Sequence, residues 1–170
     1  MRPRLAKLSD SEAIYGLISH YAEQGLLLPR AEDEIRRNIH HFCLIRAKGS
    51  LMGCLALESY GGDLAEIRSL AVNPEIRGRG IGKKLVDFGL EEARRHGIAR
   101  VFAVTQSPEF FLRQGFHLVR RQSLAEKIDR DCRGCAKRRS CKLAAVIATV
   151  IPQRATLPII GDTITSVPIS

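Results

Sequence analysis

Residues 71–84 read A-V-N-P-E-I-R-G-R-G-I-G-K-K, and this stretch is the best suited in the chain to hold a charged ligand. Asn73-Pro74 marks a turn after the apolar run 67–72. Gly78, Gly80 and Gly82 alternate with Arg79 and Ile81, and a helical pattern starts at Ile81. A glycine-rich turn feeding a helix leaves backbone N–H groups unpaired at the positive end of the helix dipole. Glycine lets that backbone come close to a ligand, which makes a cradle for phosphate or pyrophosphate. Spacing then excludes two nucleotide motifs. A P-loop needs Gly at Arg77 and Ser or Thr at Lys84, and the dinucleotide fingerprint needs Gly at Lys83. What fits is R-x-x-G-x-G, with Arg77, Gly80 and Gly82.

That pattern, placed after a strand ending in Asn-Pro and before a helix, resembles the acetyl-CoA loop of the GNAT superfamily of N-acetyltransferases. The segment Phe110-Phe111-Leu112-Arg113-Gln114-Gly115-Phe116 resembles the second signature of that family, F-[YF]-x-x-x-G-F, which flanks the thiol end of the cofactor. The likeness covers roughly residues 1–121. It implies acetyl-CoA as cosubstrate and direct transfer of the acetyl group to an amine, with no acyl-enzyme. The implied cofactor residues are Leu70, Ala71, Val72, Arg77, Gly78, Arg79, Gly80, Ile81, Gly82, Lys83 and Phe111. A strand N–H near Ser69 is expected to polarise the thioester carbonyl. Glu66, on the same strand ahead of the turn, is the candidate general base. Many members carry Tyr as the acid where Phe111 stands here, so either Ser69, Ser107 or a water protonates the leaving thiolate, or the thiolate leaves unassisted.

Residues 23–30 (E-Q-G-L-L-L-P-R) and 65–72 (A-E-I-R-S-L-A-V) narrow the resemblance to the acetyltransferase domain of the N-acetylglutamate synthases. It implies L-glutamate as acceptor, in the first step of arginine biosynthesis, with Arg30 and Arg68 binding substrate and Glu66 near the amine. The usual bacterial form has an amino-acid kinase domain in front, so a stand-alone version is expected here. Two departures stand out. Ser69 replaces an expected Cys, and residues 144–150 lack an Arg-rich segment that helps hold glutamate in the longer enzymes.

The elements that must position these residues emerge from periodicity. Residues 4–7 read as a strand, and Ser9 with Glu12 as a capping box for an amphipathic helix over 10–24, stopped by Gly25. A polar helix is predicted over 32–41. Strands 42–47, 51–60 and 64–72 are joined by the turns Lys48-Gly49-Ser50 and Gly61-Gly62-Asp63. A long helix runs over 80–96, then strand 100–105, a short helix 109–114, strand 117–121, a helix 123–131 and a closing strand 144–150. The expected fold class is α+β: a mixed, mostly antiparallel sheet flanked by helices on both faces. Residues 1–150 are taken as the acetyltransferase domain, with a Cys-rich insertion at 131–142, and 151–170 as a C-terminal tail of unassigned role.

With 45% apolar and 26% charged residues the chain has ordinary globular composition, and no apolar run nears the roughly 20 residues that span a bilayer. A cytoplasmic location, with no membrane partner, is the expectation. The formal charge of +9 raises the question of nucleic acid, but the basic residues are scattered and three Tyr and six Phe offer little base stacking. No nucleic-acid partner is expected; the charge suits CoA phosphates and an acidic acceptor, and disfavours polyamines. The partner is then a small-molecule amine acceptor, with a homodimer left open as the assembly. The rival readings are another amine, such as a protein N-terminus, and a non-catalytic acetyl-CoA-binding regulator. Five cysteines, an odd number, suit a reducing compartment. Cys43 and Cys54 read as buried strand thiols. Cys132, Cys135 and Cys141 place three soft ligands within ten residues, a zinc candidate set whose fourth ligand would have to be His117 or Asp131, against free thiols or one disulfide.

Overall fold

A computed structural model describes residues 1–136 and 141–150. Seven strands form one sheet in the order β1-β2-β3-β4-β5-β7-β6. They are β1 (Arg4–Leu5), β2 (Phe42–Ala47), β3 (Ser50–Ser59), β4 (Leu64–Val72), β5 (Arg100–Thr105), β6 (His117–Val119) and β7 (Ala144–Thr149). All neighbours are antiparallel except β4 and β5. The helices are α1 (Ser11–Glu23), α2 (Glu32–Arg37), α3 (Ile81–Arg95), α4 (Pro108–Leu112) and the single turn α5 (Ala125–Lys127). The α+β expectation holds, and the short turns between β2, β3 and β4 make the predicted meander.

One face of the sheet is closed by α3, whose Ile81, Leu85, Val86 and Ala93 pack on Ile45, Leu55, Ala65, Ile67 and Val101. On the other face Ile14, Ile18 and Tyr21 of α1, spaced at one helical face, join Ile35 of α2 over Phe42, Leu44 and Ala56. A separate cluster of Leu64, Phe102, Leu124 and Ala145 covers the β5–β7 end. The strip of β3 and β4 between these two clusters carries charged side chains instead.

The parallel pair β4–β5 is short. Pairing covers Leu64↔Arg100, Ala65↔Val101 and Glu66↔Phe102, and then the strands part. β5 keeps β7 along its whole length. A bulge bends β4 away: the register on β3 shifts by one between Cys54↔Ala71 and Ala56↔Arg68, and Ser69 takes a left-handed φ of +51°. From Ile67 to Val72 the β4 edge towards β5 therefore lacks a strand partner, leaving backbone N–H and C=O groups for something else to pair.

Several boundaries differ from the periodicity reading for visible reasons. Ser9 is not the N-cap of α1, because Leu8–Asp10 form a 3-10 turn and Asp10 is drawn inward. Its carboxylate accepts from Lys7 N–H at 2.8 Å, Arg4 Nη1 at 2.8 Å and Arg46 Nε at 2.9 Å. α2 ends at Arg37, not His41, where the Asn38 side chain donates back to Glu34 O at 3.0 Å. The helix expected over 123–131 is one α-turn continued by a wider π-type turn, Ile128–Cys132, with Arg133 N–H on Ile128 O at 2.9 Å. The tail 151–170 lies outside the described residues.

Asp10 also makes stability depend on pH. Burial alone would raise its carboxyl, but the bonds from Arg4, Lys7 N–H and Arg46 outweigh that and hold it at about 2 against an ordinary 3.8. A depressed folded value means stability present above pH 4 and lost as pH falls towards 2. Asp10→Asn should flatten the acid limb of a Tm–pH profile between those values, by about 2 kcal/mol at neutral pH. An unchanged acid limb would reject the assignment.

Candidate active site

The glycine turn delivers an open helix start. Gly80 is the N-cap of α3 with φ +72°, a left-handed position that favours glycine. The first intrahelical bond is Lys84 N–H to Gly80 O at 3.1 Å, so the N–H groups of Ile81, Gly82 and Lys83 lack intrahelical acceptors. Arg79 and Gly78 are exposed beside them. Arg77 is tied down: its Nη2 and Nε donate to the Tyr21 hydroxyl at 2.9 and 3.3 Å, and that hydroxyl donates to Val72 O at 2.5 Å. It fixes the turn to α1 and β4. Lys83 Nζ pairs with Asp87 at 2.7 Å on the helix surface.

Three of the expected cofactor residues have buried side chains. Phe111 is 5% exposed, packed between Phe110 and Phe116, because neighbouring helix positions face different ways. Phe110 is the aromatic that meets the turn; a Cβ on Gly82 would lie 3.1 Å from its ring. Ile81 and Ala71 are also buried, so only their backbone can serve a ligand. Leu70 and Val72 are half-buried against the α3 core, at the open β4 edge.

Beside that edge, on the face away from α3, lies a cluster of four cations and four carboxylates. Arg30, at the end of the α1–α2 loop, reaches Ser69 Oγ with Nη1 at 3.3 Å, Glu34 Oε1 with Nε at 3.0 Å and with Nη2 at 2.6 Å, and also Glu58. Glu58 further accepts from Arg68 at 3.0 Å and Arg130 at 3.2 Å. Burial would raise its carboxyl, yet Arg68 and Arg30 bring it below its ordinary value. Glu66 is 3% exposed; its Oε2 accepts from Tyr60 Oη at 2.6 Å and Lys127 Nζ at 2.9 Å. Lys127 also donates to Asp131 at 2.6 Å. Burial pushes Asp131 up, but bonds from Lys127 and Tyr60 win and hold it at about 2. A Gln106 side-chain N–H on Gly25 O, 3.1 Å, ties the end of β5 to the α1–α2 loop across the gap.

The sequence reading thus brought Arg30, Arg68, Glu66 and Ser69 to one place, as the structure does. It took Glu66 as the candidate base, and the structure finds it buried, with one oxygen held by Tyr60 and Lys127. It missed Tyr60, Glu58, Lys127 and Arg130, and named Asp131 only as a possible zinc ligand. Glu58 and Tyr60 succeed Ala56 at period two, and Lys127 and Asp131 are four apart; those spacings were the available signal. Ser107 caps α4 on the surface with its N–H on Thr105 Oγ1 at 3.0 Å. Burial pushes the thiols of Cys43 and Cys54 up to about 12, as inert strand cysteines require. Cys132, Cys135 and Cys141 are free thiols, and no group of three or more potential ligands among the described residues could hold a metal. The zinc expectation finds no support. A cavity of about 500 Å³ opens on the α3 side by Leu5, His40, His41 and His96, away from this cluster, so chemistry locates the site better than volume does. No helix among the described residues is long and apolar enough to cross a membrane.

Comparison with known proteins agrees with this fold. The acetyltransferase (GNAT) family profile matches residues 9–116, more than half the chain. An uncharacterized N-acetyltransferase of Chlorobaculum tepidum is 37% identical over 147 residues, covering 86% of this chain and 95% of that one. An amino-acid acetyltransferase of Mycobacterium tuberculosis is 37% identical over 134 residues, 76% of each chain. Among solved structures, N-acetylglutamate synthase from Neisseria gonorrhoeae, complexed with coenzyme A and N-acetyl-glutamate, superposes with a TM-score of 0.80 at 30% identity. That match covers 87% of this chain but only 34% of the synthase.

Proposed function

The chain belongs to the GNAT acetyltransferase family, and from that premise we propose that it acetylates the α-amine of an amino acid, with L-glutamate the acceptor. Acetyl-CoA supplies the acetyl group as a thioester. The residues present suit it: the N–H groups of Ile81, Gly82 and Lys83 for the pyrophosphate, and the unpartnered β4 edge from Ile67 to Val72 for the pantetheine amides. The bulge at Ser69 turns a backbone N–H out of the ladder, suited to polarising a carbonyl. Glu66 takes a proton from the acceptor's ammonium, and Ser69, whose oxygen accepts from Arg30, keeps its own proton to give to the leaving thiolate.

The observation that carries the acceptor assignment is Arg30 meeting Ser69 while Arg68 lies beside Glu66. This puts two guanidinium groups by the open β4 edge, fitted to an acceptor with two carboxylates. Glu34 is 35% exposed against 10% for Glu58, so Glu34 is the partner that yields Arg30 to an incoming carboxylate. The synthase complex supports the same choice by its bound N-acetyl-glutamate. On this reading the enzyme works in amino-acid biosynthesis, at the entry to arginine.

An amino-acid panel with acetyl-CoA and a thiol readout tests the assignment. Glutamate should outpace glutamine, which has the same shape but lacks the side-chain charge. Arg30→Ala should raise the glutamate KM about ten- to a hundredfold and leave acetyl-CoA affinity alone, since charged hydrogen bonds contribute roughly 1.5–3 kcal/mol. Equal use of glutamine, or an unmoved KM, would transfer the assignment to another amine.

A further inference from the structure

Glu66 is poorly placed to lose a proton to water on its own. A base buried to 3% exposure must be emptied after every turnover, and the structure offers one way out. The Tyr60 hydroxyl lies 2.6 Å from Glu66 Oε2 and 2.5 Å from Asp131 Oδ2. A phenol has one proton, so it can donate to only one of two carboxylates at a time, and Tyr60 stands within reach of both. Asp131 is the outer member, with its side chain 26% exposed, whereas that of Glu66 is 4% exposed.

We infer that Tyr60 and Asp131 form the proton exit of the active site, carrying the acceptor's proton from Glu66 to solvent. The inference rests on Glu66 being the base, whichever amine is acetylated. Glu66 takes a proton from the ammonium and becomes a neutral carboxyl. A half-turn of that carboxyl presents its O–H to Tyr60 Oη, which accepts the proton while passing its own to Asp131 Oδ2. Asp131 releases it to water, and Tyr60 turns back to Glu66. One proton leaves the substrate and one reaches bulk; no electrons change hands.

The surrounding charges fit this direction. Burial and the two flanking carboxylates raise the Tyr60 hydroxyl well above its ordinary value, so it conducts by gaining one proton as it loses another and never stands as a phenolate. Asp131, held at about 2, cannot keep a proton and sheds it to water. Lys127 Nζ touches all three groups, at 2.9 Å from Glu66, 2.6 Å from Asp131 and 3.2 Å from Tyr60. When Glu66 is neutral the ammonium still has Asp131 as counter-ion, so no buried charge is stranded. Arg68 lies 3.7 Å from both carboxylates, and Arg130 covers the Tyr60 ring at 3.5 Å. Phe102 abuts that ring edge-on.

Tyr60→Phe keeps the ring between Arg130 and Phe102 and removes only the conducting oxygen. With the fastest acceptor from the panel and dilute, bulky buffer, its kcat should fall about tenfold or more while the acetyl-CoA Kd stays put. Added imidazole, a small diffusible base, should restore kcat in a saturable way, and should do nothing to the wild type. Asp131→Asn should show the same rescue. A lost packing contact would not respond to imidazole. Wild-type kcat in Tyr60→Phe, or a loss that imidazole leaves untouched in both variants, overturns the exit. If Glu66→Gln is also near wild type, the base assignment has failed; if Glu66→Gln is crippled while Tyr60→Phe is not, only the exit has.

Discussion

Glu66→Gln lowers kcat by about 10²–10⁴-fold and leaves acetyl-CoA affinity unchanged, because general-base catalysis is typically worth that much. The substitution keeps the side chain's shape in a place where shape matters. Glu66 is buried in β4, opposite Glu58 on β3 and Phe102 on β5. An amide oxygen can still accept from Tyr60 and Lys127, and Lys127 keeps Asp131 at 2.6 Å, so the fold survives. What is lost is the ability to take a proton from the acceptor. The proposed cofactor cradle, on the turn after Val72, is untouched. Stopped-flow or steady-state thiol release, with calorimetry for acetyl-CoA, reads the two quantities apart. A kcat within a few-fold of wild type in a folded variant would reject Glu66 as the base. A fall in kcat with an equal loss of acetyl-CoA affinity would mark it as a structural residue.

The sequence was most legible where backbone chemistry decides the outcome. Residues 64–72 and 100–105 read as strands to the residue, and the glycines at 78, 80 and 82 marked the passage from β4 into α3, because alternation and glycine positions are local signals. It was least legible where tertiary charge decides. Ser9 looks like a better cap than Asp10 until Arg4 and Arg46 arrive from two strands to draw Asp10 inward. Phe111 looked like the cofactor residue by motif position, but only packing shows that Phe110 faces Gly82. Glu66 was legible as a strand carboxylate close to Arg68 and Ser69. Its clamp was not, since Lys127 lies 61 residues further along the chain. Tyr60 is six residues from Glu66, but its second carboxylate, Asp131, lies 71 residues further along the chain.

One strand carries most of the site, and the bulge explains how. A regular β4 would stay paired with β5 to its end and present no open edge. The one-residue shift at Ser69 comes after Glu66 and Arg68, which period-two alternation puts on the face opposite α3, and it accompanies the parting of the strands. The strain is confined to Ser69, the one non-glycine residue of β4 with a positive φ. On the proposed assignment, amine, thioester and base then meet within one strand's length.

Gly80→Asp abolishes acetyl-CoA binding without unfolding the chain. Both halves stem from the turn's geometry. Gly80 has φ +72°, where most side chains are strained, but Asp is among the residues that adopt the left-handed region most readily. No atom lies within 4 Å of where its Cβ would sit, so the new side chain has room. Asp is also a favourable N-cap, and its carboxylate can bond the N–H groups at the start of α3. Those are the groups assigned to the pyrophosphate. The substitution therefore fills the cradle with an internal anion and sets a negative charge against the incoming phosphates. Losing two charged hydrogen bonds of roughly 1.5–3 kcal/mol each weakens binding by more than about a hundredfold, before repulsion is added. Thermal unfolding should give a Tm at or above wild type, while calorimetry detects no acetyl-CoA binding. Gly80→Ala, which adds only the left-handed strain, should bind more weakly than wild type but far better than Gly80→Asp. Tight binding by Gly80→Asp in a folded protein would mean that the phosphates lie elsewhere than the start of α3.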